Sequence, residues 1–369
     1  MAPARYIGLM SGTSADGVDA CLVEFPRGRP CVLGHVNQPY SEDLRAAVLQ
    51  AMAHADLIDA AALDVRLADA YGDAVQALLT ETEQATTGVR AIGCHGQTVL
   101  HRPAGPYPTS IQLGDPHRLA LRTGIDVVAD FRRADMAAGG QGAPLAPAFH
   151  AATFSHRHQA RAVVNIGGIA NVTLLPAGEG PIAGFDTGPG NALMDAWIQR
   201  HHGLACDHGG RWAAEGHCDS VLLGLLLDDP YFARTPPKST GREYFHLGWI
   251  EARDPALAER SLADVQATLA ELTARSIADA VAEHGPGTER LFVCGGGAFN
   301  ETLLSRLQLA LPACRIETTA TLGVPPDEVE AVAFAWLAQR RLRGLANNRP
   351  EVTGATRPLC LGALVRAPR

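Results

Sequence analysis

The sequence predicts an α/β fold of two duplicated mixed-sheet halves that face each other over a cleft, and three glycine-rich turns carry that prediction. Residues 5–25, RYIGLMSGTSADGVDACLVEF, run apolar, pass through the turn SGTSADG, and run apolar again. Residues 162–175, AVVNIGGIANVTLL, repeat the device around NIGGIAN, with Gly167 lying 155 residues after Gly12, about the size of one domain. The third turn lies in LFVCGGGAFNETLLSRL (291–307), a strand, a triple glycine and a helix start that Asn300 can cap. Glycine lets the backbone approach a ligand closely, and successive N–H groups in such turns form an anion-binding nest. Each hairpin can therefore hold the terminal phosphates of a nucleotide, and the GGG turn leaves room for a flat group such as adenine. One glycine-rich turn alone is as often an ordinary hairpin loop. Three in this order are far more specific.

The remaining elements fill in around these turns. Residues 42–87 carry alanine, leucine and charge at helical spacing, which reads as one or two amphipathic helices. The short strand RAIGCHG follows, and SIQLGDPHRLA passes from strand to helix with Asp115 as cap and Pro116 at the first helical position. The stretch MAAGGQGAPLAP (136–147) ends the first half and is the expected crossing between lobes, either as a linker or as part of the cleft lining. The second half repeats the theme with its hairpin, GFDTGPGN (184–191) and the helix NALMDAWIQRHHG. Helices near 220–228 and 259–284 lead to the GGG turn, and EVEAVAFAWLAQRRLRGL (328–345) is a strong helix that can pack back across the cleft. The expected division is a first lobe over 1–145 and a second over 146–369, with the C-terminal helical segment able to return to the first lobe.

Composition narrows the function. The chain has 369 residues, 47% of them hydrophobic, enough for two domains with their own cores. No apolar run approaches the roughly 20 residues a membrane span needs; the longest candidate, VLLGLLL (221–227), reads as a core helix. The opening MAPARYIGLM lacks the long apolar segment of a signal peptide, so a cytoplasmic protein is expected. A net charge of −8 without a basic block argues against nucleic acid as a partner, whereas nests and helix N-termini bind phosphate without lysine. Eight scattered cysteines with no CxxC suit reduced thiols.

Several side-chain groups could carry chemistry. Asp186 follows a short apolar run and precedes glycines that open a helix, where a carboxylate can serve as a base or simply cap the helix. Asp186-Thr187-Gly188 also matches an aspartic-protease signature, but those enzymes need two such aspartates and no second triplet occurs. Lys238-Ser239-Thr240 lacks the glycine pattern of a P-loop and the upstream Ser-x-x-Lys of penicillin-binding enzymes, so KSTGRE reads as a structured loop at a subunit contact or a cleft rim. His201, His202, Cys206, His208, His217 and Cys218 cluster within 18 residues, but the spacing fits no standard zinc site and a solvated histidine-rich loop is the simpler reading. His95 and Gln97 leave a buried strand and could bond sugar hydroxyls, or be satisfied core residues. Asp130, Arg132 and Arg133 form a charged turn in which an arginine could face a carboxylate or only pair with its neighbour. Glu330 heads the late helix, where a glutamate also satisfies the dipole.

In order and content these motifs resemble the actin, hexokinase and heat-shock-chaperone superfamily of ATP-binding folds. Within it, GLMSGTSADGVDA (8–20), GCHGQT (93–98), DVVADFRRADMAAGGQGAPL (126–145), NIGGIANV (165–172), GFDTGPGN (184–191), PPKSTGREYF (236–245) and VCGGGAFN (293–300) resemble the anhydro-N-acetylmuramic acid kinases. The likeness runs from about Arg5 to Gly362. It implies a kinase that opens the 1,6-anhydro ring of 1,6-anhydro-N-acetylmuramic acid and phosphorylates O6, in peptidoglycan recycling. It assigns Asp186 as the catalytic base. The turns and the resemblance together place ATP against Gly12, Thr13, Ser14, Ala15, Asp16, Gly17, Val18 and Asp19, against Asn165, Gly167 and Gly168, and against Gly295, Gly296, Gly297 and Asn300. Sugar contacts are expected from His95, Gln97, Thr98, Asp130, Arg132 and Glu330. Mg²⁺ is expected to be held mainly by ATP, with no protein metal site, and the only partner is the small sugar, a homodimer being open. Ala15 stands where many relatives carry a larger apolar residue and Thr187 where some carry cysteine; neither removes a donor or charge the chemistry needs. A plain hexosamine kinase and a chaperone or filament-forming ATPase are the alternatives.

Overall fold

The computed structural model describes residues 4–12, 14–54 and 56–368. The chain divides into two compact units, one built from residues 1–153 and 328–369 and the other from 154–327.

The first unit contains β1 (Arg5–Met10), β2 (Gly17–Glu24), β3 (Cys31–Pro39), α1 (Glu42–Ala53), α2 (Leu57–Glu81), β4 (Val89–Cys94), β5 (Gln97–Arg102), β6 (Thr109–Leu113), α3 (Pro116–Thr123), β7 (Val127–Ala129), α4 (Arg133–Ala137) and α5 (Ala146–Phe154), the last of which ends in the second unit. The second contains β8 (Arg161–Ile166), β9 (Ile169–Leu175), β10 (Ala183–Pro189), α6 (Ala192–His202), α7 (Arg211–Glu215), α8 (Ser220–Leu227), α9 (Leu247–Arg253), α10 (Leu262–His284), β11 (Arg290–Cys294), α11 (Glu301–Ala310) and β12 (Arg315–Thr318). The chain then returns to the first unit with α12 (Val329–Leu342), α13 (Pro350–Thr353) and β13 (Ala363–Val365).

The main sheet of the first unit runs β13-β7-β4-β1-β2-β3, and the second unit's sheet runs β10-β9-β8-β11-β12. In both, an antiparallel three-strand meander continues through parallel strands on the far side of its first member. The duplication expected from the two hairpins is therefore a shared strand order in two α/β units. Each unit has its own core. Ile7, Leu9, Leu22, Val48, Leu67, Leu78 and Ile92 are buried together in the first, and Val164, Val172, Phe185, Trp197, Leu269, Ile277 and Leu291 in the second.

The first unit extends past the expected boundary at 145, to residue 153, and it also takes in the C-terminal segment, a return that the sequence reading allowed. The glycine-rich stretch 136–147 is not the crossing; it lies inside the first unit, where Asp135, fully buried, fastens it. Asp135 accepts from Gly142 N at 2.9 Å and from Asn348 Nδ2 and Thr353 Oγ1 at 2.8 Å each. Residues 328–369 belong with the first unit because β13 pairs antiparallel with β7 and α12 lies directly on β1 and β4. Two glycines make that contact: Gly8 and Gly93 are neighbours across β1 and β4. A Cβ on Gly8 would collide with the carbonyl oxygen of Ala331, and one on Gly93 with that of Phe334. Glycine inside a strand here marks close approach of another backbone. The VLLGLLL segment is not buried all round: α8 buries Leu222 and Leu226 and exposes Val221 and Leu225.

Candidate active site

In the first unit the β1–β2 turn is built on side chains. Buried Ser11 accepts from Tyr40 OH at 2.8 Å and donates to Gln97 Oε1 at 2.5 Å, while Gln97 Nε2 donates to Gly12 O at 3.1 Å. Gln97 is fully buried, so a residue at the start of β5 fixes the turn from beneath. Burial pushes the Tyr40 phenol up to about 12, against the lowering effect of the Ser11 hydrogen bond. A Cβ on Gly12 would meet nothing closer than Ser14 Oγ at 3.6 Å, so the fold itself tolerates a side chain there. Gly17 is different: its Cβ would collide with Gln38 O of β3. Ala15 adopts φ +52°, and the side chains of Ala15 and Val18 are in the core. Only their backbone groups can face a ligand. Ser14 Oγ donates to Asp16 Oδ1 at 2.8 Å, and Asp19 accepts from Asn37 Nδ2 at 2.8 Å. Thr13 lies outside the described residues.

The same unit brings three of the six expected sugar contacts together, His95, Arg132 and Glu330. Arg132 Nη2 donates to His95 Nε2 at 2.7 Å and Arg132 Nη1 to Gly142 O at 2.8 Å. Burial first, then the guanidinium charge, lowers the His95 imidazole to about 3, so the ring is neutral. Arg132 is itself lowered to about 10 by burial, against the opposing charges of Glu330 and Asp135. Burial pushes the Glu330 carboxyl up, Arg132 pulls it down and Asp19 raises it again. Glu330 sits in the first turn of α12, which reaches this cluster because Gly8 and Gly93 let the helix lie on the sheet. Thr98 Oγ1 accepts from Gln112 Nε2 at 3.2 Å. Asp130, at φ +54°, pairs with Arg133 at 3.7 Å.

In the second unit the β8–β9 turn is fixed mainly by backbone, with one side-chain bond, from Asn191 Nδ2 to Ile166 O at 3.0 Å. Gly167 O accepts from Asn191 N at 2.7 Å, and Gly168 O accepts from Gly190 N at 2.9 Å and Ala192 N at 3.1 Å. A Cβ on Gly167 would meet only Ile169 O, at 3.7 Å. The GGG turn splits by role. Gly295, at φ +75°, has no room for a Cβ beside Asn165 Oδ1, and a Cβ on Gly297 would lie 2.5 Å from Ile166 Cγ2. These two glycines serve packing against the end of β8. Gly296 lines a cavity of about 400 Å³ with Asn191, Asp195, Cys206, His208 and Phe299. Asn300 accepts from Leu303 N at 2.9 Å and caps α11. The cysteine and histidine cluster thus contributes to a cavity wall, while the His201 ring packs tilted against Trp197 and the His202 ring edge-on against Trp212, with ring centres 4.2 and 4.4 Å apart. Among the described residues no three His, Cys, Asp or Glu side chains converge as metal ligands.

Asp186 sits on β10 at a register shift between Asp186 and Gly188. Its carboxylate is mostly withdrawn from solvent, and burial raises it to about 6 against a lowering hydrogen bond from Thr240. Thr240 N donates to Asp186 Oδ2 at 3.0 Å, and Asp186 N donates to Lys238 O at 3.1 Å. Tyr231 OH donates to the Asp186 main-chain oxygen at 2.7 Å. Lys238 Nζ donates to Phe232 O at 3.1 Å and lies 5.0 Å from the centre of the Tyr231 ring. The KSTGRE loop therefore holds the candidate base. The sequence reads this loop as a subunit contact or a cleft rim; Ser11, Tyr40, Thr240 and Asp195 are likewise absent from the expected site. The signal for Ser11, Thr240 and Asp195 is membership of SGTSADG, KSTGRE and the helix after GFDTGPGN, without a spacing rule that gives their role, and Tyr40 lies in no such string.

A family model described as anhydro-N-acetylmuramic acid kinase matches residues 4–367. A relative from Saccharophagus degradans, named anhydro-N-acetylmuramic acid kinase, is 50% identical over 373 aligned positions covering 99% of each chain. A second of the same name, from Xylella fastidiosa, is 49% identical over 97% of this chain and 95% of its own. Among solved structures, an activator of a 2-hydroxyisocaproyl-CoA dehydratase from Clostridium difficile aligns with a TM-score of 0.49 at 11% identity, over 92% of this chain and 96% of that one. With a match across nearly its full length and half its residues shared with full-length relatives, the chain belongs to the anhydro-N-acetylmuramic acid kinase family.

Proposed function

We propose that this chain couples hydrolytic opening of 1,6-anhydro-N-acetylmuramic acid to phosphorylation of its O6, with Asp186 as the base. The sugar has no free 6-hydroxyl, because O6 is locked in an ether bridge to C1, so an ordinary kinase base has no proton to remove from it. Water is the nucleophile instead. Asp186 takes a proton from water as its oxygen bonds to C1, the C1–O6 bond breaks, and O6 bonds to the γ-phosphorus as ADP leaves. One proton is released to solvent, and the product is N-acetylmuramic acid 6-phosphate. The observation that carries this reading is the withdrawn Asp186 carboxylate, raised to about 6 with one oxygen held by Thr240 N–H. Such a group is ionised at neutral pH and more basic than a solvated aspartate.

Phosphates are expected at the backbone N–H groups of the 12–17 and 167–168 turns and the nucleoside in the cavity beside Gly296. Mg²⁺ commonly takes one or two carboxylates plus phosphate oxygens. Exposed Asp16 is the carboxylate that would face it here. Bound there, Mg²⁺ would neutralise β/γ-phosphate oxygens. His95, Arg132 and Glu330 are proposed to meet the sugar, whereas Gln97, buried beneath the first turn, acts through that turn. Among the described residues no helix is long and apolar enough to cross a membrane, and the eight cysteines form no disulfide; both suit work in the cytoplasm on ATP and a small sugar.

The test is an ATP-dependent assay with the anhydro-sugar in H₂¹⁸O, with mass spectrometry at early times and a preformed-product exchange control. One heavy oxygen at C1 and none in the transferred phosphate is expected. Label in phosphate and none at C1 would refute the coupled reaction.

A further inference from the structure

None of the three glycine turns contains a lysine or arginine, yet the reaction proposed above concentrates negative charge on a transferring phosphoryl group in a chain of net charge −8. One cation stands at such a turn. A Cβ placed on Gly168 would lie 2.5 Å from Arg242 Nε, 2.6 Å from Nη2 and 2.9 Å from Cζ, so the guanidinium rests against the backbone of the β8–β9 turn. Arg242 is exposed and, among the described residues, makes no hydrogen bond and no ion pair within 4 Å. Its charge is felt by Asp195, which lines the cavity beside Gly296. The backbone places it well. Two residues earlier in the same loop, Thr240 N holds Asp186, and Lys238 anchors the segment to Tyr231 and Phe232.

We propose that Arg242 contacts the β- and γ-phosphates of ATP at the Gly167–Gly168 turn and stabilises the charge of the transferring phosphoryl group. This rests on the kinase reading. A guanidinium offers a planar fork of donors that matches phosphate oxygens, is always charged, and is weakly hydrated enough to exchange water for phosphate. Cations aimed at developing charge are worth about 10²–10³ in rate when removed, and arginines serving phosphoryl transfer reach about 10³–10⁵. Because the same loop holds the base, a shift of the loop would move base and cation together.

The test uses Arg242→Gln and Arg242→Lys in the full chain. Exposure of Arg242 makes both expected to fold, checked by thermal melting. With Mg²⁺ present, calorimetry compares a non-hydrolysable ATP analogue with AMP. Arg242→Gln should weaken the analogue by about tenfold or more, leave AMP within about twofold, and lower kcat/KM for ATP by about 10²–10³-fold. Arg242→Lys should recover part of that loss, since it keeps the charge without the fork. Unchanged analogue affinity and turnover in Arg242→Gln, or equal weakening of AMP and analogue, would overturn the inference. A wild-type chain that binds the analogue but forms no phosphorylated sugar would instead overturn the kinase reading, and the two binding arms would still decide the role of Arg242.

Discussion

The two hairpin turns occupy the same place in sheets of the same strand order, yet they are held by different means. The first, between β1 and β2, depends on a buried chain of side chains from Tyr40 through Ser11 to Gln97 and Gly12 O. The second, between β8 and β9, is held by main-chain N–H groups at the start of α6, which donate to Gly167 O and Gly168 O. A duplicated framework therefore preserves strand order while each copy finds its own way to fix its hairpin turn. Side-chain anchoring can be removed by one substitution. Backbone anchoring cannot, except by displacing the helix that supplies it.

The largest expected effect tests the asymmetry of chemistry between the copies. Asp186→Asn should lower kcat by about 10²–10⁴ while the melting curve and ATP-analogue affinity stay near wild type; near-normal kcat would remove Asp186 as the base. Next come the glycines required for packing. Gly295→Ala adds left-handed strain and a collision with Asn165, and should destabilise the second unit by about 3 kcal/mol, read from denaturant midpoints. The glycines at the hairpin tips should behave in the opposite way. Gly12→Ala and Gly167→Ala should leave stability within about 0.5 kcal/mol, as substitutions away from packed features usually do, yet weaken ATP, because only the ligand requires close approach. Unchanged ATP affinity in both would detach these turns from phosphate binding. Then Gln97→Ala should raise KM for ATP more than Asn191→Ala, whose side chain adds one bond, to Ile166 O, to a second turn that main-chain N–H groups already hold.

The smallest effect is in pH dependence. Burial raises both Asp186 and Asp195 from 3.8 to about 6. Between about pH 4 and 6 the folded chain then binds more protons than the unfolded one, so the contribution of these groups to stability is greatest at the acid end and falls as pH rises through that window. Activity should move the other way, since the base must be ionised: kcat/KM should rise through pH 6 and level off above about pH 7. Asp195→Asn should keep this limb, and a limb unmoved from about pH 4 would contradict the raised Asp186.

Much of this was legible where a local rule applies. Glycine hairpins flanked by apolar runs, Asn300 as a cap and Asp115 before Pro116 each depend on neighbours in sequence, and the structure contains them as read. The contents of the candidate site were less legible. Thr240 reaches Asp186 through a backbone N–H, which any residue type other than proline supplies, so its identity gives no signal. Gly295 and Gly297 read as room for a ligand, whereas their neighbours Asn165 and Ile166 come from a strand over a hundred residues earlier. The glycine-rich stretch 136–147 reads as a linker until Asp135 is seen to bind Asn348 and Thr353. Gly8 and Gly93 showed the same blindness: a glycine in a strand announces a close neighbour without saying which.

That pair has a consequence for biosynthesis. The helix that covers Gly8 and Gly93 begins at Val329, so the first strand made waits for residues translated more than 300 positions later. Residues 154–327 form a contiguous unit and can complete their contacts as they emerge. On the ribosome, the half of the protein that starts first is therefore the half that finishes last, with the glycine-lined face of its sheet open until then.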